Sequence, residues 1–169
     1  MNVMKKIKID KVTFNCGTGG DQNRLTKAMK LLDFITKKKS VKTCSKKRIP
    51  GFGIRVGLPI GCKVTIRGKE AVDILKRIFE GINFTINQRQ FNPGSFSFGI
   101  KEYIQIPSIP YQRDIGIIGF ETTVSLKRAG FNLKKRKIKK ANIPKRHYIT
   151  KEETIEFAKN ELNIKVVEK

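Results

Sequence analysis

The chain has 169 residues, enough for one domain or a domain with an appendage. A chain of this size buries about 68–70% of the surface its unfolded form exposes, so it needs no disulfide or metal staple to fold. Lys and Arg number 37 against 14 Asp and Glu, a net charge of +23 that calls for a polyanion, while 38% hydrophobic content excludes full disorder. Apolar runs such as Ile115 to Phe120 are only a few residues long, so no bilayer span or signal-peptide core is expected and the chain reads as soluble and intracellular.

In chain order, Lys5 to Cys16 alternates charge with Ile7, Ile9, Val12 and Phe14, and its parity slips near Asp10 and Lys11 as a bulged strand would. Gly17, Gly19 and Gly20 make a turn, and Asp21 is placed to cap a helix carrying Leu25, Ala28, Leu31, Leu32 and Ile35 on one face. The basic run Lys37 to Lys47 leads to Gly51, Gly53, Gly57, Pro59 and Gly61, the composition of a long, mobile hairpin tip, and a strand returns at Lys63 to Arg67. Gly68 opens a second helix with Ala71, Val72, Leu75, Ile78 and Phe79 on one face, and Gly81 stands where a C-cap glycine would.

From Phe96 to Ile106 apolar residues alternate with polar ones, and Ile118, Phe120, Val124 and Leu126 repeat the pattern. These elements predict an α+β fold, an antiparallel or mixed sheet with helices on one face and an open polar, basic face. The expected core spans residues 1–133 with a protruding loop at 48–61. Residues 134–169 then form an arm, with Lys134, Lys135, Arg136, Lys137, Lys139, Lys140, Lys145 and Arg146 and no acid among them, followed by a short helix. Thr150 and Glu153 have capping-box spacing ahead of Ile155, Ala158 and Leu162.

Cys16, Cys44 and Cys62 form no C-x-x-C pair and the one histidine, His147, is remote, so they read as small apolar side chains and neither a metal nor a cofactor is expected. Phe34 through Lys69 contains eleven Lys or Arg and no acid. A solvated face would mix signs, so this block and the arm point to nucleic acid. In the returning strand Lys63, Thr65 and Arg67 share a face suited to phosphates and 2′-hydroxyls, while Val64 and Ile66 face the core. The glycine turn leaves backbone amides at a helix N-terminus where a phosphate oxygen could be held, but it is not a nucleotide-binding fingerprint and a simple tight turn is the better reading. No catalytic constellation can be assembled: Asp10, Asp21, Glu70 and Asp73 have adequate local roles at a strand bend, a cap and a helix face.

Ordered motifs carry a resemblance over nearly the whole chain. Residues 15–19 are similar to an N-x-G-x-G turn, 52–55 through 59–61 to F-G-I-R…P-I-G, and 63–68 to K-V-T-L-R-G. Residues 94–102 resemble G-N-F-S-F-G-I-x-E, 115–119 resemble I-G-I-x-G, and Ile143 to His147 with Thr150 to Glu153 resembles the ending of archaeal and eukaryotic members. The family is the universal large-subunit ribosomal protein that binds 5S rRNA. The resemblance implies a non-enzymatic, cytoplasmic ribosome component that attaches 5S rRNA in the central protuberance. Its implied partners are 5S and large-subunit rRNA, the P-site tRNA, other central-protuberance proteins and a small-subunit head protein across an intersubunit bridge. It places Asn15, Gly17, Gly19, Lys38, Lys42, Thr43, Lys46, Lys47, Lys63, Thr65 and Arg67 at rRNA, and Arg48, Gly51, Phe52, Gly53, Arg55 and Gly57 at tRNA. Lys38 stands where the family usually has Gln, Ser95 where it has Asn and Ala129 where it often has Pro. At Lys38 a cation in place of an amide implies more phosphate attraction and less directional hydrogen bonding. The alternative reading is a free-acting RNA-processing or RNA-remodelling enzyme, which would use the same basic surface.

Overall fold

The computed structural model describes residues 2–107 and 109–167. Its framework is a six-stranded sheet built from β1 (Lys8–Gly17), β2 (Val41–Cys44), β3 (Pro59–Ile66), β5 (Phe91–Asn92), β6 (Ser95–Ile100) and β7 (Phe120–Lys127). The strand order is β2-β3-β1-β7-β6-β5, and every neighbouring pair is antiparallel. A separate parallel ribbon joins β4 (Thr85–Asn87) to β8 (Lys165–Val167).

Helices α1 (Gln22–Thr36) and α2 (Lys69–Gly81) supply the side chains that cover one sheet face. Leu25, Ala28, Leu31, Leu32 and Ile35 of α1 and Ala71, Ile74, Leu75, Ile78 and Phe79 of α2 share a core with Val12, Phe14, Val64, Ile66, Phe96, Phe98 and Val124 of the sheet. In α2 it is Ile74, not the expected Val72, that is buried, because the contact stripe is centred on the 71-74-75-78 positions. The C-terminal helix α4 (Lys151–Leu162) adds Ala158 and Leu162 to the same core, and its Thr154 hydroxyl accepts a hydrogen bond from the Gly94 amide at 3.1 Å. Between β7 and α4 lies the single helical turn α3 (Asn132–Lys135).

Several local expectations hold. The Asp21 carboxylate caps α1, accepting from the Asn23 and Arg24 amides at 2.9 and 3.2 Å. Both halves of the Thr150–Glu153 capping box are formed. The register of β1 against β7 shifts between Ile9 and Lys11, which is the bulge at Asp10.

Others are corrected. Gly81 is the last residue of α2 and not a left-handed cap; Asn83 and Phe84 take the positive φ values instead. Gly81 is small because a Cβ there would come within 3.1 Å of the Gln105 carbonyl. The alternation expected through Ile106 ends as a strand at Ile100, and residues 103–105 form a 3₁₀ turn that buries Tyr103 and Ile106. Those two are three residues apart, the eclipsed spacing of that turn. The basic run before the hairpin tip contains the edge strand β2. The tip has its own turn: Ile49 and Ile54 form a bridge, Ile54 is buried, and Ser45 and Leu58 are joined by a main-chain hydrogen bond of 2.9 Å.

Candidate nucleic-acid interface

The sheet face opposite α1 and α2 is ordered by pairing. Side chains directly opposite each other lie on the same face, so Thr65, Thr13, Thr123 and Ser97 form one row across β3, β1, β7 and β6. At ~4.8 Å between strands the row is about 14 Å long. A parallel row holds Lys63, Asn15, Glu121 and Gly99, and a third places Lys11, Ser125 and Ser95 together. Hydroxyls both donate and accept, so such rows suit 2′-hydroxyls and phosphate oxygens alike. Lys63 is exposed and forms no ion pair among the described residues.

Of the rRNA candidates, Asn15, Lys63 and Thr65 meet on this face and Thr43 joins them through its pairing with Gly61. Lys42 does not. It pairs with Cys62, a core residue, and therefore leaves the edge strand on the other face. Lys46, Lys47, Arg48 and Arg55 are exposed around the hairpin tip, where Phe52 is 78% exposed. A benzyl group so far out of the core, on a turn surrounded by cations, is placed for stacking or apolar contact with a partner. The glycines differ: Gly51, Gly53 and Gly57 of the tip are exposed, whereas Gly61 is buried, and a Cβ there would lie 2.6 Å from the Cys16 carbonyl.

At the glycine turn of residues 17–20, several neighbouring amides are already engaged within the chain. The Asn23 and Arg24 amides already bind Asp21, and the Thr18 amide donates to the Ile60 carbonyl at 3.0 Å. A carboxylate in that position repels a phosphate. Gly17 and Gly19 nevertheless remain exposed beside β1.

Many cations are committed within the molecule. Asp10, buried at the bulge, pairs with Lys127 at 3.0 Å, with Arg67 at 3.6 Å and with Lys135 of the basic stretch. Burial pushes the Asp10 carboxyl up, and the ammonium groups of Lys135 and Lys127 more than reverse this, leaving it below the usual carboxylate range. Arg67 is thus partly engaged at home, though its side chain is 62% exposed. Lys38 pairs with Glu70 at the start of α2, so its charge is answered within the chain. Lys134 lies over the Tyr148 ring, 5.1 Å from its centroid.

Arg128, which no motif or spacing singles out, is buried just beyond the end of β7. Its guanidinium donates to the carbonyls of Lys5, His147 and Tyr148 and to the Glu153 carboxylate at 2.6 Å. Burial raises the Glu153 carboxyl; the Thr150 amide and Arg128 overcome that, and its pKa is lowered. One side chain thereby fastens the N-terminal lead, the basic stretch and the α4 cap. Three of the four acids considered for catalysis have such duties too: Asp10 holds cations, Asp21 caps α1 and Glu70 pairs with Lys38, while Asp73 is exposed on α2. Cys16 and Cys62 are buried cross-strand partners with free thiols, and Cys44 is exposed. The described residues hold no cluster of His, Cys, Asp and Glu fit for a metal, and no helix among them is long and apolar enough to cross a membrane.

A sheet with one helix-covered face and one hydroxyl- and lysine-bearing face, extended by a basic hairpin, defines an α+β class of protein that presents a polar, cationic surface. Residues 2–55 match the family described as Ribosomal protein L5, and residues 59–157 match the C-terminus of the same ribosomal family. The chain is 45% identical over 168 residues to the large ribosomal subunit protein uL5 of Sulfolobus acidocaldarius, covering 99% of this chain and 94% of that protein. It is 43% identical to uL5 of Nanoarchaeum equitans, covering 97% and 98% of the two chains, and 40% identical to uL5 of Methanosphaera stadtmanae, covering 98% and 99%. The chain belongs to the uL5 family, structural constituents of the large ribosomal subunit.

Proposed function

We propose that this protein binds 5S rRNA through the open sheet face and holds it in the central protuberance of the large subunit, in the cytoplasm and without catalysis. The observation that carries the reading is the juxtaposition of the Thr65–Thr13–Thr123–Ser97 hydroxyl row with the exposed Lys63 beside Asn15. Phosphates supply affinity, and the hydroxyls favour RNA over DNA by reaching 2′-hydroxyls. Side chains about 5 Å apart within a row, and rows about 7 Å apart, on a stiff sheet hold donors and acceptors in fixed register, so little ordering entropy is lost on binding.

The hairpin tip extends this surface toward a second RNA. Phe52, with Arg48 and Arg55 nearby, contacts tRNA in the P site, and the outer surface meets a small-subunit head protein. Lys46 and Lys47 lie between the two contacts and serve rRNA phosphates. The exposed cations of the 134–146 stretch, other than Lys135, are left for large-subunit rRNA.

Sedimentation of a cell extract on a sucrose gradient, probed for this chain and for 5S rRNA, tests the assignment. Both are expected to migrate with the large subunit and to leave it together when 5S rRNA is stripped. A chain that stays at the top of the gradient contradicts it.

A further inference from the structure

At the end of the open face, where β1 and β6 finish and β7 begins, lies a cleft of about 650 Å³. Asn15, Arg24, Gln90, Gly99, Lys101 and Glu121 line it. Three features set it apart from the phosphate-binding rows.

The first is Glu121, an exposed carboxylate that forms no ion pair among the described residues, in contrast to Asp10 with its three cations. It stands opposite Asn15, whose other neighbour is Lys63. Two strand spacings separate Glu121 from Lys63, about 10 Å, close enough for the negative charge to weaken phosphate attraction there. The second feature is the floor. No atom lies within 4 Å of where a Cβ would stand on Gly17 or Gly99, so bare main chain is presented to a flat ligand. The third is Gln90, whose side-chain oxygen accepts from the Asn87 amide at 3.2 Å and whose amide nitrogen has no partner among the described residues.

A carboxylate is an acceptor only, with two oxygens side by side. Among the four RNA bases only guanine presents two adjacent donors, N1–H and the N2 amine, on one edge. Adenine and cytosine each offer a single amino group there and uracil a single imino group. The Gln90 amide is a donor suited to the guanine O6 or N7 acceptors. Guanine's donor edge is occupied in a duplex, so the ligand must be unpaired, and unpaired bases are what sequence-specific RNA recognition selects. Arg24 and Lys101 supply positive charge at the rim for the flanking phosphates.

We infer that this cleft is a recognition pocket for one unpaired guanine base, with Glu121 pairing to N1–H and the N2 amine while the base lies over the Gly99 main chain. The pocket rests on the RNA-binding reading of the open face and adds base selectivity to a surface otherwise built for backbone.

Fluorescent pentanucleotides UUGUU, UUIUU, UUAUU, UUCUU and UUUUU, titrated with the full chain by anisotropy at low salt, test it. The guanine probe should bind about tenfold or more tighter than the adenine, cytosine and uracil probes, the discrimination a bidentate pair provides, and the inosine probe, lacking the N2 amine, should lose most of that advantage. Glu121→Gln should reduce the preference to less than about twofold and leave UUUUU binding equal or tighter, because a negative charge is removed. Equal binding of all five probes, no binding of any, inosine equal to guanine, or a guanine preference surviving in Glu121→Gln would each overturn the pocket. The inosine comparison stands on the unaltered protein and needs no variant to fold. Binding to intact 5S rRNA separates the two levels: a flat pentamer series with 5S selectivity retained defeats the pocket alone, whereas loss of selectivity for 5S rRNA over unrelated RNA defeats the interface reading beneath it.

Discussion

The cations around Asp10 and Arg128 and those of the open face and hairpin tip have the same chemistry and opposite uses. Lys127, Lys135 and Arg128 are tied to carboxylates within the chain, Arg128 being buried, and they hold the basic stretch and α4 against the sheet. Lys63, Lys46, Lys47, Arg48 and Arg55 are exposed and belong to no ion pair among the described residues. Charge density along the chain therefore separates neither group from the other. What separates them is whether a carboxylate was folded underneath.

That contrast can be broken from both sides. The largest effect on folding is expected from Arg128→Met, which leaves one Glu153 carboxylate oxygen and three carbonyls without their donor. Stability should fall on the order of 3 kcal/mol, or about 6–12 °C in Tm for a chain this size. RNA affinity measured well below the new Tm should change little, and a large affinity loss there would erase the distinction. Lys63→Ala is the mirror experiment. Its RNA affinity should drop several-fold and its salt slope shrink by about 1, with stability unchanged within ~0.5 kcal/mol in a denaturant titration. Phe52→Ala with Arg55→Ala should likewise spare folding and 5S rRNA binding while weakening tRNA retention on assembled ribosomes.

A smaller change is expected at the bulge. The Asp10 pKa is lowered on folding, so its contribution is present at and above the ordinary aspartate range, near pH 4, and is lost as pH falls through the lower folded-state value. Asp10→Asn should destabilise the fold at neutral pH and flatten the acid limb of the stability curve below about pH 4. An unchanged acid limb would assign the acid sensitivity elsewhere. Thr150→Ala should cost about 1 kcal/mol of stability, read as lost amide protection in α4. At the small end is Thr122→Val. The Thr122 hydroxyl is buried with no partner among the described residues, so this near-isosteric change should be neutral or stabilising by up to ~1 kcal/mol.

The parts of this architecture that can be read in advance are those whose signals are local. Helices α1 and α2 announce themselves by apolar spacing, Asp21 and Thr150 by capping chemistry, and the bulge by a parity slip confined to two residues. Strand β2 carries no such signal: Val41, Lys42 and Cys44 are exposed and Thr43 is half-buried, so neither face is consistently apolar. The β4–β8 ribbon joins two three-residue segments from distant parts of the chain, too short for alternation to register. The face assignment of Lys63 and Thr65 follows from period-two spacing, but that of Lys42 depends on its pairing with Cys62. The Lys135–Asp10 contact spans 125 positions, and nothing local distinguishes Lys135 from Lys134. Glu121 is hidden for the same reason: which carboxylates stand apart from the cations is decided in three dimensions.

The most direct test of the grip on RNA is a salt titration of the purified full chain against 5S rRNA and an unrelated RNA of equal length. A preference for 5S rRNA at every salt concentration is predicted, with affinity falling about 10³-fold between roughly 50 and 200 mM salt if six phosphates are neutralised. Equal affinity for the two RNAs, or binding indifferent to salt, would contradict it.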